Sequence, residues 1–192
     1  MKFLKTLELA GFSIMLLLSL LSVFVDFAGQ SVITGALLGL GSMAYFLAGF
    51  FFFSKSPFAS YKLSIGFGAF MGFATSIVMV GLMFRAGLYE GTEMMLLIGS
   101  TLVGMCILLG LILMLRSPEH KAYWRQTLIR LGVLLVVGVF MYTQNREVVM
   151  QRKYGDYPFY IEAYEEFSQN PSEETVDKLE QARQRMDSLR SH

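Results

Sequence analysis

Two histidines and one cysteine are the side chains best suited to metal binding or nucleophilic chemistry in this 192-residue chain. Their surroundings point away from both. His120 stands in a polar connection and His192 at the terminus, neither within reach of an acid–Cys–His cluster, so both read as solvated positions. Cys106 lies inside an apolar run, where a lone thiol packs and can form no internal disulfide. No G-x-S-x-G, P-loop, H-E-x-x-H or dinucleotide-binding fingerprint occurs. The expectation is a protein that is not an enzyme, with no catalytic, cofactor-binding or metal-binding residues and no cofactor.

Charge at membrane depth would be the next place for function. Glu8 and Asp26 lie at the two ends of the first apolar run, where an interfacial role is expected. The three runs that follow carry no acid or base in their interiors. A conducting path would have to be lined by hydroxyls, and Thr34, Ser42, Ser64, Thr75, Ser76, Ser100 and Thr101 are the candidates. An enzyme acting on lipid would need a polar cluster at an interface, for which Tyr89, Glu90 and Glu93 are the nucleus.

The elements that carry these residues follow from composition. The chain is 54% hydrophobic and only 16% charged, with mean hydropathy +0.52, far more apolar than a soluble domain of this length. Net charge is +1 and no basic cluster with interleaved aromatics occurs, so nucleic acid is not an expected partner. Apolar runs near the ~20 residues that cross a bilayer predict spans at about 7–27, 32–53, 63–84, 94–115 and 127–143. Lys2 and Lys5 before the first run suggest a signal peptide, but no small-x-small site precedes a break after Ala28, so a retained span is expected. The fifth run is the shortest and includes Arg130, near its start, where a long side chain can snorkel to the headgroups. Turns are expected at 28–31 and 85–91, and basic loops at 54–62 and 116–126.

Gly49, Ser56-Pro57 and Tyr61 are echoed by Gly110, Ser117-Pro118 and Tyr123 at an offset of 61 or 62 residues. Repeated two-helix hairpins and the chance alignment of apolar runs both account for this. Small residues recur at helical spacing as Gly35 and Gly39, Gly68 and Gly72, Ser100 and Gly104. Such pairs let helix backbones approach closely, either inside one bundle or on a self-association face.

Residues 77–104 form a hairpin with its own pattern: Gly81-Leu82-Met83-Phe84-Arg85, then Gly91, then Leu96-Leu97-Ile98-Gly99. It resembles the hairpin of the membrane subunit of the gliding-motility and type IX secretion motor of Bacteroidota, which carries approximately G-x-L-F-K-x-x-H-W-P-G-A and then an apolar run with I-G-L. The match covers some 28 residues without a gap, and Leu88-Tyr89-Glu90 stands where the family has His-Trp-Pro. The resemblance implies an acidic ion-carrying residue in the second helix, but the aligned position is Val103, which holds no proton.

Beyond Asn145 the composition changes: 146–192 holds ten of the fifteen acids and seven of the sixteen basic residues. This is a soluble helical tail. Asp156 is expected to cap a helix with Pro158 in its first turn, and Asn170-Pro171-Ser172-Glu173 to start a second. Tyr160, Tyr164 and Phe167, with Leu179, Met186 and Leu189, give two apolar faces that suit a helical hairpin and a partner.

Lys and Arg beside the spans set the orientation. One side carries Lys2, Lys5, Lys55, Lys62, Arg116, Lys121 and Arg125; the other carries Arg85, Arg146, Arg152 and Lys153. The fold class expected is all-α, a polytopic membrane bundle of about five spans (1–145) with a soluble helical tail (146–192). It would lie in a bacterial inner membrane, multi-pass, with the N-terminus cytoplasmic and the tail periplasmic. The expected role is an accessory or scaffold subunit, non-catalytic, with membrane lipid and other membrane-protein subunits as partners through the spans and tail; a small transporter or channel is the alternative.

Overall fold

The computed structural model describes residues 2–24, 30–51, 62–116 and 121–190, the side chains of 2–9, 30, 31, 48–51, 62–65, 122, 123 and 190 excepted. Among these residues the chain is all-helical, with eight helices and no strand. It divides into two compact units, Met1–Gln144 and Asn145–His192.

The first unit contains α1 (Lys2–Phe24), α2 (Gln30–Phe51), α3 (Lys62–Ala86), α4 (Thr92–Arg116) and α5 (Lys121–Thr143). Three of these contain stretches long and apolar enough to cross a membrane, Gly66–Ala86, Thr92–Arg116 and Trp124–Thr143. The described parts Ala10–Phe24 and Val32–Leu47 are shorter apolar helices. Compared with the sequence reading, α5 starts six residues early, so part of the expected 116–126 loop is helix. The reason is local: Arg125 and Gln126 end the apolar run in the sequence, but both are exposed, and Trp124 beside them is buried edge-on to Phe67 with ring centroids 5.7 Å apart.

Helix α3 is the centre of this unit and touches all four other helices. Its faces divide the work. Ser76, Met79 and Met83 meet α2, where Met83 lies 3.6 Å from the Cβ position of Gly39 and Met79 the same distance from that of Gly41. Ile77, Val78 and Gly81 meet α4 on the opposite side. Leu82 and Thr75, fully or nearly fully buried, lie on a third face of the same helix. Paired positions run in opposite directions between α2 and α3, between α3 and α4 and between α4 and α5, so consecutive helices are antiparallel.

The second unit contains α6 (Arg146–Tyr154), α7 (Pro158–Gln169) and α8 (Glu173–Arg190). Asn145 caps α6 by accepting the Glu147 N–H at 3.0 Å. The expected cap of α7 is displaced: Tyr157, not Asp156, precedes Pro158, and no side chain caps the helix. The start of α8 is displaced too. Ser172, not Asn170, takes the cap, its hydroxyl accepting the Thr175 N–H at 3.3 Å, so Pro171 lies outside the helix. Thr175 is held in turn by donating to the Asn170 carbonyl at 2.8 Å. Phe159 faces Arg185 and Glu166 faces Lys178, so α7 and α8 are antiparallel.

Candidate functional site

The α3–α4 connection shows how the chain builds a buried polar end from ordinary residues. Arg85 is the last polar side chain of α3, not the first of the turn as expected, and is only 3% exposed. The helix continues through Ala86 because the turn needs its last carbonyls. Tyr89 N–H donates to the Phe84 carbonyl at 2.9 Å and Leu88 N–H to that of Arg85 at 3.2 Å. This is the six-to-one and five-to-two pairing of a Schellman cap, and the position that must be left-handed is usually glycine. Here it is Leu88, at φ 57, with its side chain buried. Gly87 next to it is needed for room, because a Cβ there would run into the Tyr89 ring. Thr92 closes the turn by donating to the Tyr89 carbonyl at 2.6 Å.

Other hydroxyls of the bundle serve its packing. Ser42 and Ser76 face each other with their oxygens 2.7 Å apart, joining α2 to α3. Ser19, Ser22 and Thr101 donate to carbonyls three or four residues back on their own helices. Thr75 is buried on α3. Thr34 and Ser100 are buried as well, and their hydroxyl oxygens make no hydrogen bond among the described residues. The side chains of Glu8 and Ser64, and Asp26, His120 and His192 altogether, lie outside the described residues, as do Ser56-Pro57, Tyr61, Ser117-Pro118 and the side chain of Tyr123 in the two repeat copies.

The closest approaches between helices are made by glycines that the four-residue spacing does not pick out. A Cβ on Gly99 would lie 2.8 Å from Val78 Cγ2 and 2.9 Å from its backbone nitrogen. One on Gly81 would lie 2.8 Å from Leu96, and one on Gly138 2.8 Å from Ser100 Oγ. Gly110 approaches Leu128 in the same way, at 3.0 Å. Of the six expected packing residues, Ser100 lies at this three-helix junction, Gly35 and Gly39 stand at ordinary contact distance from Met83, and Gly68 and Gly72 are buried. Nothing lies within 4 Å of a Cβ on Gly104. A glycine with no small residue four positions away gives no small-residue pair in the sequence, so that spacing does not mark Gly99 or Gly138 as a packing position.

Of Tyr89, Glu90 and Glu93, Tyr89 packs edge-on against Phe84, and Glu90 and Glu93 are exposed. Val103, the position where the resemblance implies an acid, is fully buried, as is Cys106 one turn further on. No group of three potential metal ligands occurs among the described residues.

In the second unit, the tail residues are largely engaged with each other. Arg146 lies over the Tyr164 ring, 4.9 Å from its centroid, and donates to its hydroxyl. Tyr160 meets Tyr154 and Tyr164 with tilted rings, centroids at 4.8 and 6.4 Å. Met186 is buried, Phe167 and Leu179 are half-buried, and Leu189 is exposed. Lys178 joins Glu166 at 2.7 Å and Glu174 at 3.3 Å, and these hydrogen bonds raise its pKa above the ordinary lysine value.

No protein-family model, curated protein or solved structure matches this chain.

Proposed function

We propose that this chain is a multi-pass protein of a bacterial inner membrane, with α1 to α5 all crossing the bilayer, and that it serves as a non-catalytic accessory or scaffold subunit of a larger membrane complex. The observation that carries this reading is how the bundle uses its polar groups. Ser42 and Ser76 tie two helices together, other hydroxyls bond to their own helices, and the exposed side chains of α4 are apolar along most of its length. At ~1.5 Å per residue, the 23 residues of α1 and the 22 of α2 extend far enough to cross the hydrocarbon core, as the longer helices do. The excess of Lys and Arg in the sequence beside one set of span ends supports a cytoplasmic N-terminus and a periplasmic second unit. The resemblance of 77–104 to the motor subunit supports the bacterial setting and a shared hairpin, and carries no activity with it.

The deciding experiment is purification in mild detergent followed by mass spectrometry of what copurifies. A stoichiometric membrane-protein partner is the expected result, and a chain that purifies alone from native membranes at native levels would end the scaffold reading. A small transporter or channel is the second reading, favoured by the buried, unbonded hydroxyls of Thr34 and Ser100. Solute flux through liposomes containing the protein alone, lost on changing either hydroxyl, would establish it.

A further inference from the structure

Five of the nine tyrosines fall between Tyr142 and Tyr164, in and just after the last turn of α5. Three of them form a row by direct contact. Tyr154 meets Tyr160 with ring centroids 4.8 Å apart, Tyr160 meets Tyr164 at 6.4 Å, and Arg146 covers the far end, over the Tyr164 ring and donating to its hydroxyl. All four side chains are half-buried, and no residue of α7 is buried although the helix packs on both α6 and α8. Two acids of α7 stand away from the row. Glu162 and Glu166 each follow a tyrosine by two positions, which at ~3.6 residues per turn is the opposite side of the helix, and both are exposed.

Chain length ties this row to the end of α5. Arg146 comes three residues after Thr143, so its Cα lies at most about 11 Å from that of Thr143. With α5 as a span, that distance reaches no further than the headgroup layer, about 5–8 Å thick, and the water just above it. A ring with an apolar body and a hydroxyl tip is most stable at such a boundary, where the body leaves water and the tip stays in it. An arginine there meets lipid phosphates, while carboxylates on the far side of the helix keep to water.

We propose that the row of Tyr154, Tyr160 and Tyr164, with Arg146 at its end, rests in the lipid interface of the leaflet where α5 ends and holds α6 and α7 along the membrane surface. The proposal rests on the reading of α5 as a membrane span. Lipid is the occupant because the covalent tether alone brings the row to it.

Depth-resolved quenching by brominated phosphatidylcholine tests this on the full chain in liposomes, with one tryptophan introduced at a time in a Trp124→Phe background. Tyr160→Trp should lose about half of its emission to lipid brominated near the glycerol end of the acyl chain, and less to lipid brominated near the methyl end. Glu162→Trp should lose almost none to either. Val136→Trp, at a position 69% exposed within α5, should be quenched most by the methyl-end bromine. A Tyr160→Trp emission quenched no more than that of Glu162→Trp overturns the proposal, and is the result for a row that faces a protein or water instead. Val136→Trp quenched by neither lipid removes the span reading, and this proposal with it; Val136→Trp quenched while Tyr160→Trp is untouched removes this proposal alone. Tyr154→Trp takes the place of Tyr160→Trp where that variant does not purify. Where the Trp124→Phe background does not, the quenching of Trp124 in the unmodified protein is subtracted instead.

Discussion

The ring of Tyr89 stands edge-on to that of Phe84, centroids 5.6 Å apart and planes at 68°, across a peptide held in the left-handed region by Leu88. The contact is the apolar partner of the Schellman cap and folds the chain back into α4. It keeps Leu88 in a conformation that costs an ordinary residue about 1–2 kcal/mol, because the leucine side chain is buried there.

Two opposed terms at Leu88 give an ordered prediction. Leu88→Gly relieves the backbone but loses side-chain burial worth about 1.5–3 kcal/mol, so it should destabilise the bundle by roughly 1 kcal/mol. Leu88→Ala loses most of the burial and keeps the strain, so it should be the less stable of the two. Unfolding in mixed micelles with rising denaturing detergent measures the order, and alanine above glycine would contradict the left-handed turn.

Glycines at the helix contacts should separate by space alone. Gly99→Ala puts a methyl against the Val78 backbone nitrogen, which cannot move aside as a side-chain tip can, and should cost about 1–3 kcal/mol. Gly138→Ala meets Ser100 Oγ and should cost somewhat less, since that hydroxyl can rotate. Gly104→Ala has open space and should be neutral or slightly stabilising. The same unfolding measurement distinguishes them.

Orientation is checked by labelling. In a Cys106→Ala background, a cysteine at Ser168 should react with an impermeant thiol reagent once the outer membrane is opened, and one at Ser60 should stay protected. The reverse pattern would invert the proposed topology, and protection at both positions would mean that α5 does not cross.

Within the second unit, Tyr164→Phe keeps the ring under Arg146 and removes the hydroxyl that accepts from it. It should cost about 1 kcal/mol, seen as faster amide exchange in α6 and α7. Tyr164→Ala removes the stack as well and should cost more.

Alkaline pH should loosen the α7–α8 contact at one point. Lys178 has a raised pKa because Glu166 and Glu174 hold its ammonium by hydrogen bonds, so its contribution is fully present below the unfolded lysine value of 10.5. That contribution is lost as pH rises through the higher folded value. The pair is exposed and small in effect, so Lys178→Met should abolish the alkaline change in α7–α8 amide protection while leaving protection at neutral pH nearly unaltered.

The parts of the fold readable from residues alone were those governed by hydropathy over a long window. The runs 63–84 and 94–115 correspond to Lys62–Ala86 and Thr92–Arg116, because nearly every residue inside them is apolar. Helix α5 was less readable because its first turns are polar and exposed while Trp124 is buried, so hydropathy marks only its apolar portion. Helix α6 gave no signal: Val148, Val149 and Met150 are consecutive rather than spaced by a helical turn, and only a cap at Asn145 betrays the start. In the candidate site, the burial of Arg85 depends on which helices surround its end of α3, and the left-handed Leu88 on a turn whose usual glycine falls one residue earlier, at Gly87. Neither is a property of a short stretch of sequence.

The central place of α3 also sets a timetable for synthesis. A ribosome completes Ala86 while the 57 residues from Gly87 to Thr143 are still to be made. At ~5–20 residues per second that interval is roughly 3–11 s. Until Arg116 is added, 30 residues after Ala86 and roughly 1.5–6 s into that interval, the face of α3 around Val78 and Gly81 has no complete α4 to receive it. The nascent chain thus carries an open seam, shaped for a helix that does not yet exist, and whatever holds that seam during those seconds must give way when α4 arrives.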